Sequence, residues 1–139
     1  MSKSNDLSLK LLNHALGGPD YVRPATVYLG FFTSDPGEGV GGTEATGTGY
    51  ARTAITNNAT NFPAATGSTI GTKSNAVAFT GPTAGAGGWS SGANMTHWAL
   101  FDAASGGNRM YKGALQIAKP VLEGDSPSVA IGAIVITED

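Results

Sequence analysis

The stretch MTHWALFDAASGGNRMYKGAL (residues 95–115) decides how the chain is read, because it gathers one of the two histidines, an aspartate and a serine. On a compact loop these could converge on a reacting centre. On a strand they cannot. Aromatic and aliphatic residues dominate THWALFDA (residues 96–103), and successive strand side chains point to opposite faces. His97 therefore shares a face with Ala99 and Phe101, while Trp98, Leu100 and Asp102 take the other. His97 and Asp102 start on opposite faces and cannot form the base–orienter pair of a hydrolase. Ser105 falls in AASGGN, where Gly106, Gly107 and Asn108 supply the positive φ values of a tight turn. The chain has no G-x-S-x-G elbow. The segment predicts a β-hairpin, with Asp102 initiating the turn and His97 at the core edge, bonded to backbone.

Working outward, the same signals recur. ATVYLGFFTS (residues 25–34) ends at Asp35-Pro36-Gly37, a turn sequence. YARTAIT (residues 50–56) alternates. NAVAFTG (residues 75–81) places Val77 and Phe79 on one face. RMYKGALQIA (residues 109–118), KPVLEGD (residues 119–125) and SVAIGAIVITE (residues 128–138) follow. Between them lie two long Gly-rich loops, GEGVGGTEATGTG (residues 37–49) and GPTAGAGGWSSGAN (residues 81–94). With so little charge to solvate them, these loops are expected to order against a partner. The pattern predicts an all-β, jelly-roll-like β-sandwich of about six to eight strands. It is read as a single domain, with the helix over residues 5–17 and the sandwich over residues 25–138.

The helix is amphipathic. Ser4 or Asn5 caps it, Asp6 suits the positive end of its dipole, and Gly17-Gly18-Pro19 stops it. Leu9, Leu12 and Leu16 stack on one face, with Leu11 and Ala15 beside them, while Lys10 and Asn13 point elsewhere. A stripe that wide must dock, either on its own sheet or on a neighbouring subunit.

The chemical motifs are weak. GEGVGG (residues 37–42) matches G-x-G-x-x-G, yet it opens into TEATGTGYAR rather than into a helix that could hold a pyrophosphate. His14 and His97 have no metal-ligand spacing, and neither SDPGEG nor EGDSPS has the ligand pattern of an EF-hand loop. No catalytic residue, cofactor or metal is expected. With no cysteine there is no disulfide framework. Charged residues make up 13% of the 139, against roughly a quarter in an ordinary soluble domain, and the net charge is −2. The eight Lys and Arg are scattered, which argues against nucleic acid as a partner. Neither a leader peptide nor an apolar run of ~20 residues is present, so no membrane association is expected and the protein is read as made and folded in the cytoplasm.

The order of segments adds a resemblance. LKLLNHALGG, TVYLGFFTSDPGEGVGGTEATGTGYAR, TNNATNFP, THWALFDAASGGN and YKGALQIAKPVLEGDSPSVAIGAIVIT, spanning residues 7–137 nearly end to end, resemble a family of short tailed-phage virion proteins often labelled tail fiber protein. The combination of FTSDP, GYAR and THWALFDAASGGN carries the specificity; the loop GPTAGAGGWSSGAN is longer and richer in Gly than that pattern. The resemblance implies a structural component of a phage particle, located in the virion, with the major capsid protein or other virion proteins as partners. Size and fold class are also similar to those of capsid cement or decoration proteins. Low charge, small side chains and Gly-rich arms favour that cement role over a tail-associated fibre or adhesion module. The chain is expected to be a homo-oligomer through its helix or sheet edges. Leu9, Leu12, Leu16 and Trp89 are the candidate interaction residues; the competing role for Trp89 is to fold back over the core.

Overall fold

A computed structural model describes residues 2–138. The strands are β1 (Ser2–Lys3), β2 (Thr26–Phe32), β3 (Thr53–Thr56), β4 (Gly71–Ser74), β5 (Phe79–Thr80), β6 (Asn94–Phe101), β7 (Arg109–Pro120), β8 (Ser128–Val129) and β9 (Val135–Glu138). One helix, α1 (Asn5–Ala15), follows β1. An antiparallel sheet in the order β1-β7-β6-β2-β3 forms the centre, and two short ladders, β4-β9 and β5-β8, lie outside it. The fold is all-β and sandwich-like with an N-terminal helix, as expected. Its strands divide into one sheet of five and two ladders of two, where a full jelly roll has two sheets of four.

The β6–β7 hairpin forms where the sequence places it. Gly106 and Gly107 adopt φ of +61° and +69°. A side chain at Gly107 would put its Cβ 2.5 Å from Asp102 Oδ1. Asp102 closes the turn by accepting from the Asn108 backbone N–H at 2.6 Å and from its side-chain amide at 3.0 Å.

The central sheet is buried on both faces, so its middle strands read as near-continuous apolar runs. Val27, Leu29 and Phe31 of β2 and Trp98 and Leu100 of β6 face the main core, joined by Leu7, Phe62, Trp89, Ile134 and Ile136. The opposite face carries Phe32, Ala99 and Phe101, with Tyr28 beside them. Phe32 and Phe101 stack with centroids 6.1 Å apart.

Several strands differ from expectation for local reasons. NAVAFTG contributes only Phe79–Thr80, because Asn75 is buried as a hydrogen-bond hub. Its amide donates to the carbonyls of Val77 (2.8 Å) and Ala130 (3.0 Å), and its Oδ1 accepts from Ile134 N–H at 2.9 Å. The same hub breaks SVAIGAIVITE into β8 and β9 around a turn closed by Ala133 N–H donating to Ala130 O. YARTAIT contributes Thr53–Thr56 alone, since Arg52 turns over the second face of the sheet and Tyr50 packs against the main core. β1 and β4 are short and polar, and no apolar alternation announces them.

The two Gly-rich loops order against each other within the chain rather than only against an outside partner. Ser90 N–H donates to Thr46 O at 2.6 Å, Gly85 N–H to Thr48 O at 2.7 Å, and Thr46 N–H to Ser90 Oγ at 3.2 Å. A Cβ at Gly47 would stand 2.6 Å from Gly88 O, and one at Gly49 would run into Thr83 O, both across the contact. The abundance of Gly here serves backbone-to-backbone packing.

Helix α1 is fixed by its start. β1 pairs with β7, Ser4 N–H donates to Met110 O at 2.8 Å, and Ser4 Oγ caps the helix by accepting from Leu7 N–H at 3.1 Å. The helix ends at Ala15, two residues short of the expected boundary, and Gly18 N–H donates back to Asn13 O at 2.8 Å past Gly17 at φ +76°. This anchoring turns Leu7 into the core and packs Leu11 against it.

Candidate interaction site

The hairpin residues are not assembled into a reacting centre. His97 shares a 2.8 Å hydrogen bond with the Thr96 hydroxyl instead of the expected backbone group, and Asp102 is committed to Asn108. Among the described residues no group of three or more His, Asp or Glu side chains is arranged to hold a metal.

The most concentrated polar chemistry clamps loops. Arg52 grips Glu44 with two nitrogens, Nε to Oε1 at 2.7 Å and Nη2 to Oε2 at 2.8 Å. Its Nη1 donates to the carbonyls of Ala103 (2.9 Å) and Gly106 (2.8 Å), tying the hairpin turn to the 37–49 loop. The guanidinium lies 3.4 Å above the Phe101 ring, a cation–π contact over the second apolar face. Tyr50 Oη donates to Glu44 Oε1 at 2.7 Å. Burial pushes the Glu44 carboxyl up, but the hydrogen bonds from Arg52 and Tyr50 outweigh it and hold the group below its ordinary range. Burial, and then the bond to Glu44, raises the Tyr50 phenol.

Arg109 does the same for the preceding turn. It donates to the carbonyls of Pro36, Gly37, Gly39 and Gly41, and desolvation lowers its pKa. Lys112 Nζ donates to Asp35 Oδ1 at 2.7 Å, and this bond, with one from Gly37 N–H, pulls Asp35 down to about 2. Sequence reading missed Glu44, Arg52 and Arg109. The available signal was the alternation that put Tyr50 and Arg52 on one face in a chain with few charges.

Trp89 is not a surface residue. It is 0% exposed, packs edge-on to Tyr50 at 5.0 Å and lies 6.1 Å from Phe31. As an interaction residue it is corrected to core, the competing role named for it; the return of its loop onto Thr46 and Thr48 carries the indole inward.

The leucine stripe has the opposite fate. Leu9, Leu12 and Leu16 are 63%, 64% and 79% exposed. At 3.6 residues per turn their common direction is roughly opposite that of Leu7. Docking of this stripe on the chain's own sheet is thereby excluded, and an outward apolar face remains. Its flanks are Asn5, Ser8, Asn13 and Ala15, all uncharged, while Asp6 and Lys10 pair with each other at 2.7 Å to one side.

A second open feature is the distal half of β7. Beyond Lys112 its outer edge has no partner strand among the described residues, and Ala114, Gln116, Ile117, Ala118 and Lys119 are exposed. Four β7 residues, Leu115 to Ala118, stand against the single residue Thr96 of β6, a wide irregularity between the pairs Met95–Lys119 and His97–Ala114. No helix among the described residues is long and apolar enough to cross a membrane.

Over residues 2–137 the chain matches a family described as podophage GP4 fiber I protein gp80. No curated protein matches it. An outward apolar helix face on a sheet whose loops are locked internally suits a part that assembles with others, and the match covers nearly the whole chain. The protein thus belongs to the podophage GP4 fiber I gp80 family and is a structural component of a short tailed-phage virion.

Proposed function

We propose that the chain is a non-enzymatic part of the phage fibre that joins further copies of itself and neighbouring virion proteins through the leucine stripe of α1. The observation that carries this reading is the direction of the helix: Leu7 faces the core, and Leu9, Leu12 and Leu16 face away from it. Each leucine gains roughly 1.5–3 kcal/mol when fully buried. A partner helix meets no charge along the centre of the stripe, so docking carries no ion desolvation cost there. The open distal edge of β7 is a second place for contact, of the kind that isolated sheets protect.

Sedimentation of the purified protein over a range of concentrations tests the proposal. An oligomer that dissociates in Leu12→Asp supports it. A wild-type monomer at all concentrations, combined with normal incorporation of the variant into particles, removes it.

The capsid-cement reading drew on low charge and Gly-rich arms. Those glycines are spent on contact between the chain's own loops, so composition no longer favours a lattice, and the family description favours the fibre. Copy number per purified particle separates the two. A handful of copies places the protein in a fibre, and hundreds place it on the head lattice.

A further inference from the structure

A cleft of about 380 Å³ opens beneath the inward side of α1. Its apolar lining comes from five parts of the chain: Leu7 of the helix, Val27 of β2, Leu100 of β6, Met110 of β7 and Ile136 of β9. The volume lies at the small end of the range typical of ligand sites. Two lining residues carry charge, Arg23 and Lys73, and both are positive.

The charge pattern stands out against the rest of the chain. Lys3, Lys10, Arg52 and Lys112 each have a carboxylate partner, and Arg109 is occupied by loop carbonyls. Among the described residues, neither Arg23 nor Lys73 has a carboxylate within 4.0 Å. Lys73 makes one long bond, 3.4 Å, to Phe62 O. The chain has only eight Lys and Arg. Lys119 also has no carboxylate partner among the described residues but is the single charged residue on a separate cleft, whereas Arg23 and Lys73 share one. The net charge of the chain is negative, so general attraction of anions does not account for the arrangement.

We propose that this cleft binds a small amphipathic anion: an apolar body lying over Val27, Leu100 and Met110, and a carboxylate head facing Arg23 and Lys73. The apolar lining supplies affinity by removing hydrocarbon from water. The two cations supply selectivity, because a cationic or neutral head would leave them unmatched.

Sodium decanoate is the probe, titrated into the full-length protein by calorimetry, with decyltrimethylammonium as the charge-reversed control. Methyl NMR of Val27, Leu100 and Met110 locates the binding. The expected result is saturable decanoate binding that shifts these methyls, at least tenfold weaker binding of the cationic analogue, and at least a tenfold loss in the double variant Arg23→Glu, Lys73→Glu. Arg23 is exposed and Lys73 half-buried, and an unchanged circular dichroism spectrum and melting temperature verify that the variant is folded. If the double variant does not fold, the single Arg23→Glu is used, with a threefold loss as the threshold. Absence of decanoate binding, equal affinity for both probes, or shifts confined to the methyls of Leu9, Leu12 and Leu16 would overturn the proposal.

Discussion

The indole of Trp98 lies across the backbone of Gly113, its cross-strand partner, so closely that a Cβ built on Gly113 would stand 2.7 Å from Cζ2 of the ring. Trp98 is 2% exposed and belongs to the main core. The pair thus fixes both the hairpin register and the depth of the core.

Gly113→Ala is expected to destabilise the fold by about 1–3 kcal/mol through overpacking against that ring. Gly124 provides the contrast. Its φ is +85° with nothing within 4 Å of a built Cβ, so Gly124→Ala meets conformational strain alone, on the order of 1 kcal/mol. Urea denaturation of both variants measures the difference. A Gly113→Ala protein as stable as wild type would mean that the indole is free to move.

Asn75 is 1% exposed and its side chain makes three hydrogen bonds to backbone. Asn75→Leu leaves Val77 O and Ile134 N–H without their partner, each costing about 1–3 kcal/mol when it stays dry, while Ala130 O keeps its bond from Ala133 N–H. The expected outcome is a loss of several kcal/mol, or failure to fold. Hydrogen exchange at Ile134 N–H reports the site directly and should lose its protection.

Acid should weaken the loop clamps. Glu44, Asp35 and Asp102 all have folded pKa values below their ordinary ones. A depressed carboxylate contributes stability that is fully present above its unfolded pKa and is lost as pH falls through the folded value. Stability is therefore expected to hold above about pH 5 and to fall from there towards pH 2. Glu44→Gln should flatten part of that decline, because the variant has no proton to gain. Denaturation midpoints at several pH values give the slope, and identical slopes would detach Glu44 from the effect.

The two faces of α1 should respond oppositely to substitution. Leu7→Ala removes a buried side chain and is expected to cost about 2–5 kcal/mol. Leu12→Asp changes an exposed position, so its effect on the monomer's unfolding free energy should stay within about 0.5 kcal/mol, while assembly is lost. Unfolding of the monomer by Leu12→Asp would place the stripe in the fold itself.

Much of this architecture was legible where the signal is local. Ser4 caps the helix, Gly106 and Gly107 turn the hairpin, and the alternation of THWALFDA separates the two clusters that face opposite sides of the sheet. What escaped depends on distant partners. Asn75 reads as a strand residue until Ala130 and Ile134 are brought to it. The outward turn of Leu9, Leu12 and Leu16 follows from the β1 anchor on β7, which a leucine count does not contain. For Trp89 the sequence left two roles open, and the facing loop at Thr46 decides for the core. The Glu44–Arg52 clamp joins residues from two segments that the sequence shows only as a Gly-rich loop and a strand.

The mutual packing of the 37–49 and 81–94 loops also says where the chain will accept foreign sequence. Surface loops ordinarily tolerate inserted tags and reporter peptides, but these two have the steric demands of an interior: bulk added at Gly47 or Gly49 would run into the backbone of the facing loop, and at Gly85 into Thr48. The permissive place is the exposed Ser68-Thr69 stretch ahead of β4, where an affinity tag or fluorophore could be displayed on the assembled particle with the loop contact intact.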